Sequence, residues 1–147
     1  ITGGTGLIGY GLTRRLVGDY RVVTLERSCD THSPKEAETI CTDLGSTESV
    51  ERAVDRIEAV YGSKVASIVH LAAYYDFSGA DTPLYQEITI KGTHRLLDAT
   101  RHFVVEEVIF SSTMLVHAPS PEKGVKIDED SPLDPPWAYP RSKAETE

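Results

Sequence analysis

The chain has 147 residues, of which 39% are hydrophobic and 26% charged, which is enough for one ordinary domain with a buried core. Its formal net charge of −8 opposes nonspecific binding to nucleic acid or to an anionic membrane. No stretch approaches the roughly 18 apolar residues of a membrane span, and no signal peptide opens the chain. We therefore expect a cytoplasmic protein without nucleic-acid or membrane partners.

The start of the chain predicts a turn that binds a dinucleotide. Residues 2–9 read TGGTGLIG, in which Gly3, Gly6 and Gly9 are three positions apart. Glycine lets a phosphate approach the backbone closely and tolerates positive φ, and the helix that follows directs free N–H groups at that phosphate. This layout is typical of a dinucleotide-binding fold, with plain strand-to-helix packing as the alternative.

Helical and strand patterns alternate after this turn. An apolar face that includes Leu7 and Ile8 predicts a helix ending at Gly18, and residues 21–25 predict a buried strand. That strand ends in Glu26, where an acid in a dinucleotide fold bonds the ribose hydroxyls. The alternative for Glu26 is an ordinary acidic residue in a loop.

The same alternation continues to the end of the chain. Strands are predicted over residues 39–42, 65–71 and 104–110, and helices over 50–61, 85–102 and from near Tyr139, with Leu96 and Leu97 facing inward. Parallel strands joined by right-handed crossovers follow from this order, hence an α/β doubly wound parallel sheet of the Rossmann type. We expect one domain over residues 1–147, truncated at both ends.

Neither the cysteines nor the histidines are predicted to carry chemistry. Cys29 and Cys41 form neither a disulfide framework nor a metal spacing, so we interpret them as small buried or partly buried apolar residues in a reducing compartment. No His/Cys/acid cluster predicts a metal site. Structural or surface roles are favoured for the histidines, namely His32, His70, His94, His102 and His117.

Tyr139 and Lys143 are four positions apart, which on a helix places both on one face. A free tyrosine has a pKa of about 10, too high for a base at neutral pH, and a nearby ammonium lowers it. The pair is therefore a candidate general acid/base for an alcohol, with a solvated helix face as the alternative. Thr113 follows the strand over 104–110, at the edge where ligands of such sheets bind, and its alternative role is capping.

Together these motifs resemble the cofactor domain of an extended short-chain dehydrogenase/reductase, of the nucleotide-sugar epimerase/dehydratase group. The resemblance covers essentially the whole chain and comprises the glycine turn, Asp43-Leu44, residues 70–73 (HLAA), residues 110–113 (FSST) and the Tyr139/Lys143 pair. It implies catalysis by Tyr139, Lys143 and Thr113, with Lys143 also bonding the nicotinamide ribose. It implies cofactor contacts from Gly3, Gly6, Leu7, Ile8, Glu26, Arg27, Asp43, Leu44, Leu71, Ala72, Ala73, Tyr139 and Lys143.

NAD is the cofactor that this resemblance implies, and NADP is less favoured. Glu26 would accept hydrogen bonds from the ribose hydroxyls and repel a 2′-phosphate. The neighbouring Arg27 complicates the choice, because a guanidinium can clamp a phosphate.

The chain departs from the group's pattern in three places. Met114-Leu115 stand where many dehydratases of the group carry Asp-Glu, which disfavours 4,6-dehydration. Thr89 occupies the position of a usual asparagine, and the chain contains no asparagine at all. His117 stands where a tyrosine is usual.

Two functions are compatible with these residues. The first is an NAD-dependent epimerase or reductase acting on a nucleotide sugar or a similar secondary alcohol, and a homodimer is left open for the longer protein. The second is a non-catalytic dinucleotide-sensing regulator with the same fold. We expect the substrate-binding part to lie after Glu147, and the 147-residue chain by itself to be inactive.

Overall fold

A computed structural model describes residues 1–28, 33–76, 78–120, 122 and 124–147 of the chain. The strands in these ranges are β1 (Val23–Glu26), β2 (Glu38–Cys41), β3 (Lys64–His70) and β4 (Val104–Phe110). The α-helices are α1 (Leu7–Leu16), α2 (Thr47–Tyr61), α3 (Lys91–Ala99) and α4 (Ala138–Thr146). A π-helical turn (Tyr85–Ile90) leads into α3, and a 3-10 turn (Met114–Val116) follows β4.

The strands form a parallel arrangement in which Thr2 is the central link. β1 pairs with β2, and β3 pairs with β4, both in parallel. Thr2 forms parallel bridges to Leu25 in β1 and to His70 in β3, which gives the spatial order β2, β1, Thr2, β3, β4. The predicted Rossmann-type parallel fold is therefore confirmed.

Local sequence accounts for the bounds of α2. The Ser46 hydroxyl accepts a hydrogen bond from the Ser49 N–H at 3.2 Å, which satisfies one of the free donors at the helix start. Gly62 ends the helix with φ of +79°, a conformation that favours glycine. Val50, Ala53 and Val54 point into the core, as the predicted apolar face requires.

Two clusters of apolar side chains form the core around the sheet. One contains Leu25, Ala53 and Leu96, and the other contains Leu44, Val50 and Val54. Helices α2 and α3 supply residues to these clusters, so they pack against each other as well as against the strands. The prediction that Leu96 faces inward is confirmed.

Three sequence-based expectations are wrong at the level of single residues. Leu97 is 44% exposed, because only its neighbour Leu96 faces the core. Leu7 and Ile8 are 98% and 68% exposed, since the residues that α1 buries are Gly9 and Thr13 instead. Cys41 is exposed and disulfide-bonded at the end of β2, not a buried apolar residue; Cys29 lies outside the described residues.

A cavity of about 890 Å³ lies between β1 and β3. In the described part of the chain, these two strands are linked only through residues 1–3, so over most of their length they face the cavity instead of each other. Its walls are mainly apolar and include Val23, Leu25, Val54, Ile57, Ile68 and Val69. Backbone groups of a sheet interior need partners, and apolar walls of this size favour contact with other chains.

No helix among the described residues is both long and apolar enough to cross a bilayer.

We expect the polypeptide of residues 1–147 to be weakly stable because of this cavity. It should bind the dye ANS and unfold over a broad temperature range or aggregate, as judged by fluorescence and light scattering. A monomer with no ANS binding and a sharp cooperative transition would contradict the expectation.

Candidate functional site

At both ends of the glycine turn, the glycine lies in close contact with other backbone atoms. Gly3 has φ of +70°, and a Cβ there would lie 3.1 Å from the Ala72 nitrogen. A Cβ on Gly9 would lie 2.1 Å from the Gly3 carbonyl oxygen, so α1 can start this close to the turn only with glycine. The Gly6 N–H donates to the Gly3 carbonyl at 3.2 Å. The result is a tight backbone cradle before a helix N-terminus, as a phosphate requires.

Glu26 lies beside this turn with one carboxylate oxygen unused. The residue is 5% exposed, and the Thr5 hydroxyl donates to Oε2 at 2.7 Å. Oε1 is buried and accepts no hydrogen bond from the described part of the chain. An ionised carboxylate has acceptor capacity for a pair of hydroxyls, and a buried acceptor without a donor costs free energy. The hydroxyls of a ribose diol would supply such donors, so these residues fit a dinucleotide.

The other predicted cofactor residues differ in how they are placed. Leu71, Ala72 and Ala73 follow β3 directly and are partly exposed, next to Gly3. Arg27 is exposed. Asp43 is exposed, and its Oδ1 accepts from the Gly45 N–H at 2.8 Å.

Leu44 points away from solvent. It is 7% exposed within the core, and a Cβ on Gly92 would lie 3.0 Å from the Leu44 Cβ, so α3 packs directly on it. Its side chain thus has a core role in this structure.

A buried imidazole connects the glycine turn to α3. His70 is 2% exposed; its Nδ1 lies 2.6 Å from the Thr2 hydroxyl and its Nε2 lies 2.8 Å from the Thr93 hydroxyl. The Thr93 hydroxyl donates to the Thr89 carbonyl at 2.6 Å, so it must accept from Nε2–H. Nδ1 is then the acceptor from Thr2, whose oxygen also accepts from the Ala72 N–H at 3.1 Å. The hydrogen bonds assign a neutral, Nε2-protonated imidazole.

The pKa of His70 is lowered from 6.5 to about 4, chiefly by burial and to a smaller extent by the nearby Lys143 ammonium. The structural role favoured for this histidine is consistent with these contacts. Sequence reasoning missed Thr93 as its partner, although the Gly92-Thr93 pair marks the position where α3 approaches the sheet.

Lys143 occupies an unusual position for a lysine. It is 2% exposed, its Nζ donates to the Ser111 carbonyl at 2.7 Å, and the same atom lies 4.6 Å from the centroid of the Phe110 ring. Burial lowers its pKa from 10.5 to about 8, and the Glu147 carboxylate opposes this shift. A charged side chain is rarely buried without a functional or ion-pairing reason, so this lysine is a candidate site residue.

Tyr139 lies one turn before Lys143 on α4 and is partly buried. Burial raises its pKa above the ordinary 10.0, and Tyr75 and Tyr85 raise it further. The expectation that the ammonium lowers this pKa is therefore wrong for the present arrangement, because Lys143 bonds the Ser111 carbonyl instead. The phenol holds its proton.

Aromatic rings surround Tyr139, and sequence reasoning missed them. Tyr75 meets it edge-on at 4.7 Å between ring centroids, and Tyr85 lies tilted at 6.5 Å. Tyr85 in turn meets Tyr74 edge-on at 4.9 Å. The signal in the sequence was the Tyr74-Tyr75 pair directly after Ala73.

Thr113 caps the 3-10 turn after β4. Its hydroxyl accepts from the Leu115 N–H at 3.3 Å, so the capping role considered for it is present. α4 packs against this turn, which brings Thr113 and Tyr139 to neighbouring elements.

Thr89 is fully buried in the π-helical turn, and its hydroxyl accepts from the Tyr74 N–H at 3.0 Å. It therefore ties the wide turn to the loop that carries Tyr74 and Tyr75. Turns of the π type occur frequently at functional sites.

The remaining histidines have surface or backbone contacts. His117 Nδ1 lies 3.0 Å from the Ser131 carbonyl, His102 pairs with Glu58 at the surface, and His94 is exposed. His32 lies outside the described residues. Over the described ranges, no group of three or more His, Cys, Asp or Glu could hold a metal.

We expect His70 to make stability depend on pH. Its folded pKa of about 4 lies below the unfolded value of 6.5, so the unfolded chain binds more protons between them. The contribution is full above pH 6.5 and is lost as pH falls toward 4, by about 3 kcal/mol at most. Chemical denaturation of the full protein at several pH values measures it.

In this experiment His70→Gln should flatten the pH dependence over that range. Thr100→Val removes another buried hydroxyl from the end of α3, one that donates to the Leu96 carbonyl without touching His70. This substitution should lower the free energy of unfolding by the same amount at every pH. Parallel curves for the parent and His70→Gln would contradict the assignment.

Comparison with known proteins places this geometry in context. The whole chain, residues 1–147, matches the model of the NAD dependent epimerase/dehydratase family. An N-acetyl-alpha-D-glucosaminyl-diphospho-ditrans,octacis-undecaprenol 4-epimerase of Escherichia coli O157:H7 is 25% identical over 147 residues, all of this chain and 40% of that protein. A human dTDP-D-glucose 4,6-dehydratase is 29% identical over 161 residues, all of this chain and 44% of that protein.

Among solved structures, the UDP-glucose 4-epimerase of Thermus thermophilus in complex with NAD is similar. It has a TM-score of 0.82 and 28% identity, covering 99% of this chain and 47% of that one. The chain thus spans less than half the length of the relatives that it matches.

Proposed function

Because the chain belongs to the NAD-dependent epimerase/dehydratase family, we propose that it is the NAD-binding part of an epimerase or reductase acting on a nucleotide sugar or similar secondary alcohol. The printed activities of its relatives, epimerases and a dehydratase of nucleotide- or lipid-linked sugars, support this substrate class. We propose a cytoplasmic protein that uses small molecules and not nucleic acid or membrane as partners, in keeping with the net charge of −8.

The observation that carries the proposal is the buried Lys143 one helical turn from Tyr139. The desolvated ammonium donates to a backbone carbonyl and forms no close ion pair within the described ranges, an arrangement that contributes little to stability. It lies at the carboxyl end of β4, where ligands of open α/β sheets bind. A functional role for the pair explains why a lysine is retained there.

The residues that would hold NAD are those of the turn and its neighbours. The glycine turn would cradle the pyrophosphate, Glu26 would bond the ribose diol through its unused oxygen, and Ala72 would line the nicotinamide side. Asp43 and Leu44 would lie near the adenine ring, Asp43 through its exposed carboxylate and Leu44 through its backbone. NAD, when bound, accepts and returns a hydride at the substrate carbon.

The chain's own residues would move the proton of the reacting hydroxyl. When the substrate carbon is oxidised, the Tyr139 phenolate would take that proton, and when the carbon is reduced, the protonated phenol would return it to the carbonyl oxygen. Lys143 would bond the nicotinamide ribose and supply positive charge near the phenol. The Thr113 hydroxyl, at the neighbouring turn, would position the substrate oxygen.

Reduction or epimerisation is favoured over 4,6-dehydration for a chemical reason. Dehydration needs further acid and base groups beside the threonine, and here Met114 and Leu115 occupy those positions, 64% and 42% exposed. Neither side chain can usefully give or take a proton.

The alternative is a dinucleotide-sensing regulator that binds NAD without turnover. The lack of asparagine at position 89 favours it. The Thr89 hydroxyl nevertheless still holds the loop at Tyr74, and Thr113, Tyr139 and Lys143 are all present. Retention of this set supports the enzyme.

We expect NADH to bind the full protein more tightly than NADPH. The buried Glu26 carboxylate would repel a 2′-phosphate, while Arg27 points to solvent-exposed surface beside it. Fluorescence titration of each cofactor measures the preference, and Glu26→Ser should reduce it. Tighter binding of NADPH by the parent would contradict this.

In the full protein, Tyr139→Phe should leave NAD affinity nearly unchanged and lower turnover by ~10² or more, because only the transferable proton is removed. Lys143→Met should lower both NAD affinity and turnover, because the amine would interact with the ribose as well as with the phenol. Initial rates on UDP-glucose and dTDP-glucose, with NAD titrations, provide the test.

Tyr20→Phe, at a tyrosine that is 56% exposed, is the matched control and should change neither quantity. Near-normal turnover by Tyr139→Phe would rule out Tyr139 as the acid. Loss of turnover in the control would mean that the assay reports folding instead of chemistry.

A further inference from the structure

An arginine of α3 connects two backbone segments that are far apart in the sequence. Nη1 of Arg95 donates to the Leu44 carbonyl at 3.0 Å and to the Glu87 carbonyl at 3.0 Å, and Nη2 pairs with the Glu87 carboxylate. The Arg95 side chain is only 19% exposed, so these contacts are largely shielded from water. A guanidinium carries several N–H donors in one rigid plane, which suits it to hold two carbonyls at once.

The first of these carbonyls belongs to the peptide unit between Leu44 and Gly45. The N–H of the same unit, that of Gly45, donates to Asp43 Oδ1 at 2.8 Å. Both polar ends of this peptide are therefore engaged, one by Arg95 and the other by the Asp43 carboxylate. Because a peptide unit is planar, it turns as one body, and fixing its carbonyl also fixes the direction of its N–H. Arg95 thus determines how the Asp43 carboxylate is held.

Close packing confines this peptide from two sides. A Cβ on Gly92 of α3 would lie 3.2 Å from the Leu44 carbonyl oxygen, and a Cβ on Gly45 would lie 3.0 Å from Ile88 Cδ1 in the π-helical turn. The helix and the turn that confine the peptide are the same two elements that Arg95 joins. The guanidinium therefore acts on a segment that already has little freedom to move.

Asp43 lies where the base of a bound dinucleotide would be. It is exposed and lies just after β2, at the carboxyl edge where ligands of such sheets bind. The N–H of the preceding Thr42 donates to the Glu26 carbonyl at 2.7 Å, so Asp43 is next to the acid that would bond the ribose diol. Since the base is attached to that ribose, it would reach the neighbouring strand end and meet Asp43.

We propose that Arg95 is a positioning residue for the cofactor: by fixing the peptide between Leu44 and Gly45, it directs the Asp43 carboxylate at the amino group of the adenine base. This inference rests on the proposed function and deepens it, since it concerns the adenine end of the same cofactor site. Asp43 Oδ1 accepts from Gly45, so the other carboxylate oxygen accepts from the amino group. A carboxylate in this place favours adenine over hypoxanthine, which carries an oxygen where adenine carries the amino group.

AMP and IMP, which differ at that amino group, measure this effect in the full protein. Each nucleotide is titrated against bound NADH, whose fluorescence reports its displacement. The parent should bind AMP about tenfold more tightly than IMP, as expected for one hydrogen bond. Arg95→Met keeps an apolar stem and removes the donors. It should weaken AMP binding by about tenfold and leave IMP binding nearly unchanged, so that the preference is lost.

Two further substitutions at Arg95 test the hydrogen bonds themselves. Arg95→Gln should give the same loss of preference, because its shorter amide does not reach both carbonyls, and it replaces Arg95→Met if that variant does not fold. Arg95→Lys should recover most of the parental preference, because an ammonium offers N–H donors at about the same reach as Nη1. A purely structural role would move the affinities for AMP and IMP together.

Arg56→Met is the matched control. Arg56 is 61% exposed and pairs with Glu38, at the opposite end of β2 from Asp43. This substitution removes an arginine–glutamate pair from the protein surface without touching the peptide that follows Leu44. It should leave the affinities for AMP and IMP unchanged, and a lost preference in this control would overturn the assignment to Arg95.

Equal losses of AMP and IMP affinity in Arg95→Met would assign Arg95 to packing and overturn this inference alone. The same conclusion would follow if the parent bound NADH without preferring AMP to IMP, if Arg95→Met or Arg95→Gln retained the parental preference, or if Arg95→Lys recovered none of it. A parent that binds neither NADH nor NAD would overturn the proposed function together with this inference.

Discussion

The hydrogen bonds that Thr2 and His70 share hold the described structure together. Among the described residues, Thr2 is the one that bridges both β1 and β3, and its hydroxyl reaches both the imidazole and the Ala72 N–H. The imidazole continues the connection to Thr93 on α3. A misplaced Thr2 would disturb the sheet, the glycine turn that follows it and the helix behind it, because one small group of polar atoms joins all three.

The candidate functional site lies next to these hydrogen bonds. Phe110 stacks on the ring of His70 at 5.9 Å, and the Lys143 ammonium lies over the Phe110 ring. Both the imidazole and the ammonium are buried, so each polar atom there must find a partner within the protein. The imidazole stays neutral and the ammonium uses a backbone carbonyl, whereas Tyr139 on the same helix as Lys143 is only partly buried.

Two unsatisfied polar atoms stand out because of where they lie. Glu26 Oε1 lies beside the glycine turn, and the ring of Tyr85 lies 6.5 Å from that of Tyr139. Some other buried hydroxyls are satisfied through short local bonds, such as those of Thr93 and Thr100 to carbonyls one turn back, whereas, within the described ranges, those of Thr13 and Ser33 are not.

The order of elements, the parallel sheet, the glycine turn and the Tyr139/Lys143 pair could all be predicted from the sequence, because they depend on local periodicity and on spacing within one helix or turn. The sequence alone did not show that Leu7 and Ile8 are exposed, that Leu97 turns outward, or that Cys41 is exposed, since burial depends on which elements pack against each face. Only the tertiary structure showed the contacts between distant parts of the chain. These are the hydrogen-bond partners of His70, the carbonyl that binds Lys143, and the tyrosine rings around Tyr139. Spacing in the sequence indicates which reactive side chains a site contains. The ionisation state of those side chains depends on which of them tertiary packing shields from water.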